Sequence, residues 1–160
     1  MEEKISDNLW WVIPNQVAGV RKPTAEEISL LKDAGIGAIV SVMDDSANLD
    51  LYEQLEMPFL WLPVKGGTSP SIAQIGSLRQ FVEHQNNLGH GVAIHCTSGR
   101  RRTGTFLAAY LINLGKTYTE ALEIVQNANP AVELREAQVE FLHEFFLQKQ
   151  IAQGSELPKN

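Results

Sequence analysis

The sequence predicts an α/β fold with a central, mostly parallel sheet flanked by helices, and three observations carry that prediction. Short apolar runs at 38–42, 59–62 and 91–94 have the unbroken hydrophobicity of strands covered on both faces. Helical signals alternate with these runs along the chain, as a parallel sheet with crossover helices requires. A chain of 160 residues that is 44% hydrophobic can bury one core of that size.

The elements follow in order. Residues 9–13 and 16–19 read as short strands joined by a turn at Pro14-Asn15. Thr24-Ala25-Glu26-Glu27 has the form of a capping box and predicts a helix that ends near Gly35. Ser69 as cap, with Pro70 at the first helical position, predicts a helix reaching about Asn87. Residues 103–114 are apolar nearly all round, which marks a buried central helix. Thr117 to Glu120 caps another helix, and Val139, Leu142 and Phe146, with Phe141 and Phe145, stripe the last. One domain is expected over 8–150, with flexible tails at 1–7 and 151–160.

Composition excludes several classes. The formal net charge of −6 argues against a general nucleic-acid binder. No apolar run reaches the roughly 20 residues of a membrane span, and Met1-Glu2-Glu3-Lys4 is not a secretion signal. A lone cysteine, Cys96, forms no internal disulfide and suits a reducing compartment, so a cytoplasmic location is expected, and the protein is expected to be a monomer. His84, His90, His95 and His143 show no metal-ligand spacing, and no metal or cofactor is expected. Gly99 to Gly104 has the glycine spacing of a nucleotide-binding loop, but Thr105-Phe106 stands where that loop requires Lys-Ser/Thr.

The chemistry concentrates in His95-Cys96-Thr97-Ser98-Gly99-Arg100-Arg101-Arg102-Thr103-Gly104. A strand ends, a tight loop follows, and a buried helix begins near Arg102. Inward-facing backbone amides of such a loop form a nest for a tetrahedral anion, and the helix N-terminus adds partial positive charge. Those influences lower the pKa of a cysteine at the loop's start, making Cys96 a nucleophilic thiolate. Arg102, six positions on, offers a planar fork for two phosphate oxygens. Thr103 is placed to stabilise the sulfur as a leaving group, and Gly99 permits close backbone approach to phosphate. Thr97, Ser98, Arg100 and Arg101 complete the loop.

His-Cys, five residues, Arg, then Thr-Gly resembles the active-site loop of the protein tyrosine phosphatase superfamily. The likeness extends to 8–14, Ala18-Gly19, 39–42, Leu62-Pro63, Ser69 to Ser71, and Asn129-Pro130 to Gln138. Together these resemble the small atypical dual-specificity phosphatases over about residues 8–150. The resemblance implies a protein tyrosine phosphatase-like fold and a metal-independent phosphomonoesterase working through a cysteinyl-phosphate. The substrate it implies is a phosphorylated protein or a small phosphoester. It also implies that His95 orients the loop through hydrogen bonds and that Gln138 places the hydrolytic water, a role for which Glu133 competes.

The sequence departs from that pattern at the general acid. Where the family usually carries an aspartate, this chain has Val64-Lys65-Gly66-Gly67-Thr68. A general acid contributes typically 10²–10⁴-fold, so a substitute is expected. Asp44 and Asp45, just past the strand at 38–42, are the first candidates, with Asp50 a third and turn formation their competing role. Arg100 falls where phosphoinositide phosphatases of the superfamily carry an extra basic residue. With Arg101 and Lys65 it favours a substrate bearing more than one anionic group. Alternatives to a protein phosphatase are therefore an inositol phosphate or phosphoinositide phosphatase, and a weakly active module that binds phosphorylated ligands.

Overall fold

A computed structural model describes the backbone over residues 4–156 and the side chains over residues 4–152. Five strands form one sheet in the order β1-β2-β5-β3-β4. β1 (Trp10–Ile13) and β2 (Val17–Val20) are antiparallel, while β2, β5 (Gly91–His95), β3 (Ile36–Ser41) and β4 (Phe59–Trp61) run parallel. The mostly parallel sheet matches the expectation, and its apolar strands are apolar because both faces are covered. On one face Ala38, Val40, Val92 and Ile94 pack with α4 (Ile72–Asn87), α5 (Arg101–Asn113), α6 (Tyr118–Ala128) and α7 (Glu136–Glu156). On the other, Ile39 and Ala93 meet α1 (Ile5–Asn8), α2 (Ile28–Asp33) and α3 (Leu49–Gln54).

Strand alternation places successive residues on opposite faces. At the end of β5 this sends His95 towards α3 and leaves Cys96 in the core on the α5 side. β5 is the middle strand, so the loop that follows it emerges at the centre of the sheet's carboxyl edge. That edge is where open α/β sheets bind ligands. Residues Thr103 to Ile112 of α5 are all buried, as its all-round hydrophobicity predicts.

Four boundaries differ from expectation. The cap of α4 is Ser71, not Ser69. Its hydroxyl accepts from the Gln74 amide at 3.1 Å while Gln74 Oε1 accepts from Ser71 N at 3.0 Å, so both ends of a capping box close there. The box at Thr24 forms only in half. Glu27 accepts from Thr24 N but also from both Arg21 Nη atoms, at 2.8 and 2.7 Å, and α2 starts after it. The packed domain also begins before residue 8, because Ile5 is fully buried against Val20, Ile28 and Leu31, and α7 continues past 150 to Glu156. Of the expected tails, residues 1–3 and 157–160 lie outside the described residues.

Candidate active site

β5 hands the chain to a loop at 96–100, and α5 begins at Arg101. The turn depends on Gly99, whose φ of +74° lies in the left-handed region. Its missing side chain matters for a reason other than the expected approach to phosphate. A Cβ there would come within 2.5 Å of the carbonyl of Val20 at the end of β2. The loop is therefore folded tightly against the neighbouring strand, and Lys22 N donates to Thr97 O at 3.2 Å across the same seam.

Cys96 is 3% exposed, with its sulfur on the wall of a cavity of about 300 Å³. Burial pushes its thiol pKa up. The Thr103 hydroxyl and the amides of Thr103, Gly99 and Arg100 all donate to the sulfur and outweigh burial, so the net shift is downward. The Thr103 Oγ1 to Sγ distance is 3.2 Å. These converging donors are the N-terminus of α5 and its preceding nest, aimed at the atom on which a thiolate's charge would sit.

Behind the loop lies a chain of hydrogen bonds that joins five residues. Asn48 Nδ2 donates to Pro23 O at 2.7 Å and to the Tyr52 hydroxyl at 3.1 Å. The Tyr52 hydroxyl is 2.7 Å from His95 Nε2, and His95 Nδ1 is 3.2 Å from Cys96 O. Burial pushes the His95 pKa down to about 4, so the ring is neutral at pH 7. A carbonyl only accepts, so the proton sits on Nδ1 and Nε2 accepts from Tyr52. Burial likewise pushes Tyr52 up to about 12, which keeps its hydroxyl a donor. Tyr52 carries no local sign of this role in the sequence, because its partner is 43 positions away.

Arg102 is held from three sides. Its Nη1 donates to Val64 O at 3.0 Å and lies 3.4 Å from Asp44 Oδ1, and its Nη2 is 3.5 Å from Thr97 Oγ1. Val64 occupies the position expected for an acid, yet its side chain is buried in the core and its carbonyl anchors the arginine. Among the described residues, the cavity wall is formed by Cys96, Ser98 and Arg100 to Arg102 on one side. Gly66 and Gly67, with Ala131, Glu133 and Arg135, form the other.

The expected acids are not on that wall. Asp44 is half exposed and leans on Arg102, which makes it a partner of the arginine expected to bind phosphate. Asp45 accepts from Ala47 N at 3.0 Å, the turn-forming arrangement of a short acidic side chain. Asp50 sits in the first turn of α3. Gln138 is fully buried and away from the wall. Its Oε1 accepts from Arg135 N at 2.9 Å and its Nε2 donates to Thr68 O at 3.2 Å, so both ends of the amide are occupied in tying α7 to the facing loop. Lys65 is exposed off the wall, and the glycines beside it face the cavity instead. Arg135, which no sequence motif singled out, is on the wall, with Gly67 against its side chain.

Residues 15–116 match the family model described as polymorphic toxin system, DSP-PTPase phosphatase. The chain belongs to this family. Among its relatives is phosphatidylglycerophosphate phosphatase PTPMT2 of Arabidopsis thaliana. It is 29% identical over 142 residues, covering 85% of this chain and 62% of that one. Phosphatidylglycerophosphatase and protein-tyrosine phosphatase 1 of Rattus norvegicus is 36% identical over 77 residues, covering 48% of this chain and 40% of that one. The chain thus spans between 40% and 62% of the length of these two relatives. The crystal structure of Tk-PTP in the active form superposes with a TM-score of 0.79 at 27% identity, over 88% of this chain and 97% of that one. PTPMT1 in complex with PI(5)P shares the fold, with a TM-score of 0.79 at 22% identity over 92% of this chain and 99% of that one.

Proposed function

We propose that the protein is a cysteine-dependent phosphomonoesterase of the dual-specificity type, acting on phosphorylated protein through a cysteinyl-phosphate. The observation that carries the reading is Cys96 Sγ at the focus of the Thr103 hydroxyl and three loop amides, beside a pinned Arg102. Donors that stabilise a thiolate also suit the equatorial oxygens of a phosphoryl group. In the first step the Cys96 thiolate attacks phosphorus in line, a P–S bond forms and the ester P–O bond breaks. Water then attacks phosphorus, the P–S bond breaks, and the Thr103 hydroxyl stabilises the departing thiolate. Arg102 binds two phosphoryl oxygens throughout. His95, Tyr52 and Asn48 fix the carbonyl of Cys96 and hence the start of the loop.

A second reading is favoured by the cations of the cavity. Arg100, Arg101 and Arg135 stand on its wall in addition to Arg102, more positive charge than one phosphoryl dianion requires. Two relatives are named for phosphatidylglycerophosphate, whose head group carries two phosphates. Hydrolysis of a phosphotyrosine peptide, an inositol phosphate and phosphatidylglycerophosphate, each by wild type and Cys96→Ser, tests both readings. Turnover of the peptide that vanishes in the variant supports the first, and a preference for phosphatidylglycerophosphate, with its second phosphate, supports the second. No turnover of any of them would leave a phosphate-binding module. The lone cysteine supports a reducing, cytoplasmic location, and we place the protein there as a monomer.

A further inference from the structure

Among the described residues that line the cavity with Cys96 and Arg102, one bears a carboxyl group, Glu133. The segment that carries it is fixed on both sides. Arg101 Nε donates to Glu133 O at 3.2 Å, joining that residue's backbone to the first turn of α5. Just before it, Val132 is buried against Gly104 so closely that a Cβ on the glycine would lie 2.9 Å from Val132 Cγ1. Ala131 N and Val132 N donate to Asn129 Oδ1 and O, at 3.0 and 3.1 Å. Just after it, Gln138 binds Arg135 N and reaches across to Thr68 O. The glutamate is thus presented to the cavity by a short loop clamped between the catalytic helix and the facing loop.

We propose that Glu133 is the proton-transfer residue of the reaction, replacing the aspartate that this chain lacks at 64–68. The proposal rests on the phosphatase reading above. In the first step the Glu133 carboxylic acid gives its proton to the ester oxygen as the P–O bond breaks, and the alcohol leaves neutral. In the second, its carboxylate takes a proton from water as the new O–P bond forms and the P–S bond breaks. Cys96 departs as thiolate, phosphate is released, and Glu133 is again the acid. The charged residues that line the same cavity are Arg100, Arg101 and Arg102 from the phosphate loop and α5, and Arg135 from its own segment. A bound phosphoryl dianion offsets two of those four charges. Gln138 cannot serve here, because a carboxamide has no titratable proton to give, and Asp44 and Asp45 are not among the residues that line the cavity.

The test compares leaving groups. p-Nitrophenolate departs as a stable anion and needs little protonation, whereas the alkoxide of a phosphoserine peptide needs much. Glu133→Gln should slow phosphoserine hydrolysis by about 10²–10⁴ and p-nitrophenyl phosphate hydrolysis far less. It should bind vanadate as wild type does, showing that the nest is intact. An unchanged ratio between the two substrates, or lost vanadate binding, would overturn the proposal. So would a ratio that shifts in Asp44→Asn and not in Glu133→Gln. Cys96→Ser is run alongside. If it retains turnover, the phosphatase reading itself fails, an outcome distinct from a Glu133 variant without effect.

Discussion

Cys96 is governed by side chains on two sides, and each side makes its own prediction. In front, the Thr103 hydroxyl and three amides draw the sulfur towards thiolate. Behind, Tyr52 and His95 hold its carbonyl. Tyr52→Phe removes the donor to His95 Nε2 and leaves a buried acceptor unpaired, which costs about 1–3 kcal/mol. Urea unfolding should show that loss, and iodoacetamide alkylation should show the Cys96 midpoint moving up as the loop loosens. An unmoved midpoint would mean that the hydrogen-bond chain supports the fold and not the nucleophile. Gly99→Ala should act on the same loop from outside. An L side chain at φ +74° is strained, and this one would meet the Val20 backbone at 2.5 Å. Phosphatase activity should fall at least about tenfold, near 1.4 kcal/mol of barrier. Full activity in the alanine variant would show that the loop has room that the geometry denies.

Two loops meet at the carboxyl edge of the sheet, and their anchors titrate in different pH windows. The Arg21 guanidinium, hydrogen-bonded to Glu27, is the main cause that holds that carboxyl down at about 2, and it ties β2 to α2. A depressed carboxyl contributes stability that is present above its ordinary value of 4.5 and is lost as pH falls towards 2. His95, kept neutral by burial, contributes stability that is present above its ordinary 6.5 and lost as pH falls towards 4. Stability measured against pH should therefore decline along two limbs, and Glu27→Gln should shrink the lower one, to which Glu120, held down by its Thr117 cap, also contributes, with a loss of about 1 kcal/mol at neutral pH. A single limb in wild type would contradict this assignment. The strands and long helices were legible because hydrophobic runs and capping boxes are local signals, as Thr117 and Glu120 show. α3 escaped because it is six residues long, follows a left-handed Asn48 and has no side-chain cap. Ser69-Pro70 misled because the sequence offers two starts, and only Ser71 has a glutamine at the third position to close the box.

The molecule as a whole is acidic, with net charge −6, while its cavity carries four arginines. The attraction for an anionic substrate is therefore short-ranged. kcat/KM should fall as ionic strength rises past 0.1 M, where the screening length is about 10 Å, and kcat should change less. Salt-independent kcat/KM would show that the outer arginines do not help capture substrate. The motif from Cys96 to Gly104 was readable because strand, loop and helix succeed one another in the chain. Glu133, Arg135 and Tyr52 were not read into the site with equal force, because only the packing of distant segments brings them there. The central claim is that phosphate passes through the sulfur of Cys96. It is tested most directly by mixing enzyme with phosphotyrosine peptide, quenching within one turnover, and sequencing the Cys96 peptide by mass spectrometry. The phosphoryl group should be found on Cys96, should be absent in Cys96→Ser, and should accumulate in Thr103→Ala as hydrolysis slows. Full turnover with no phosphoryl group on that cysteine at any quench time, or turnover in Cys96→Ser, would contradict it.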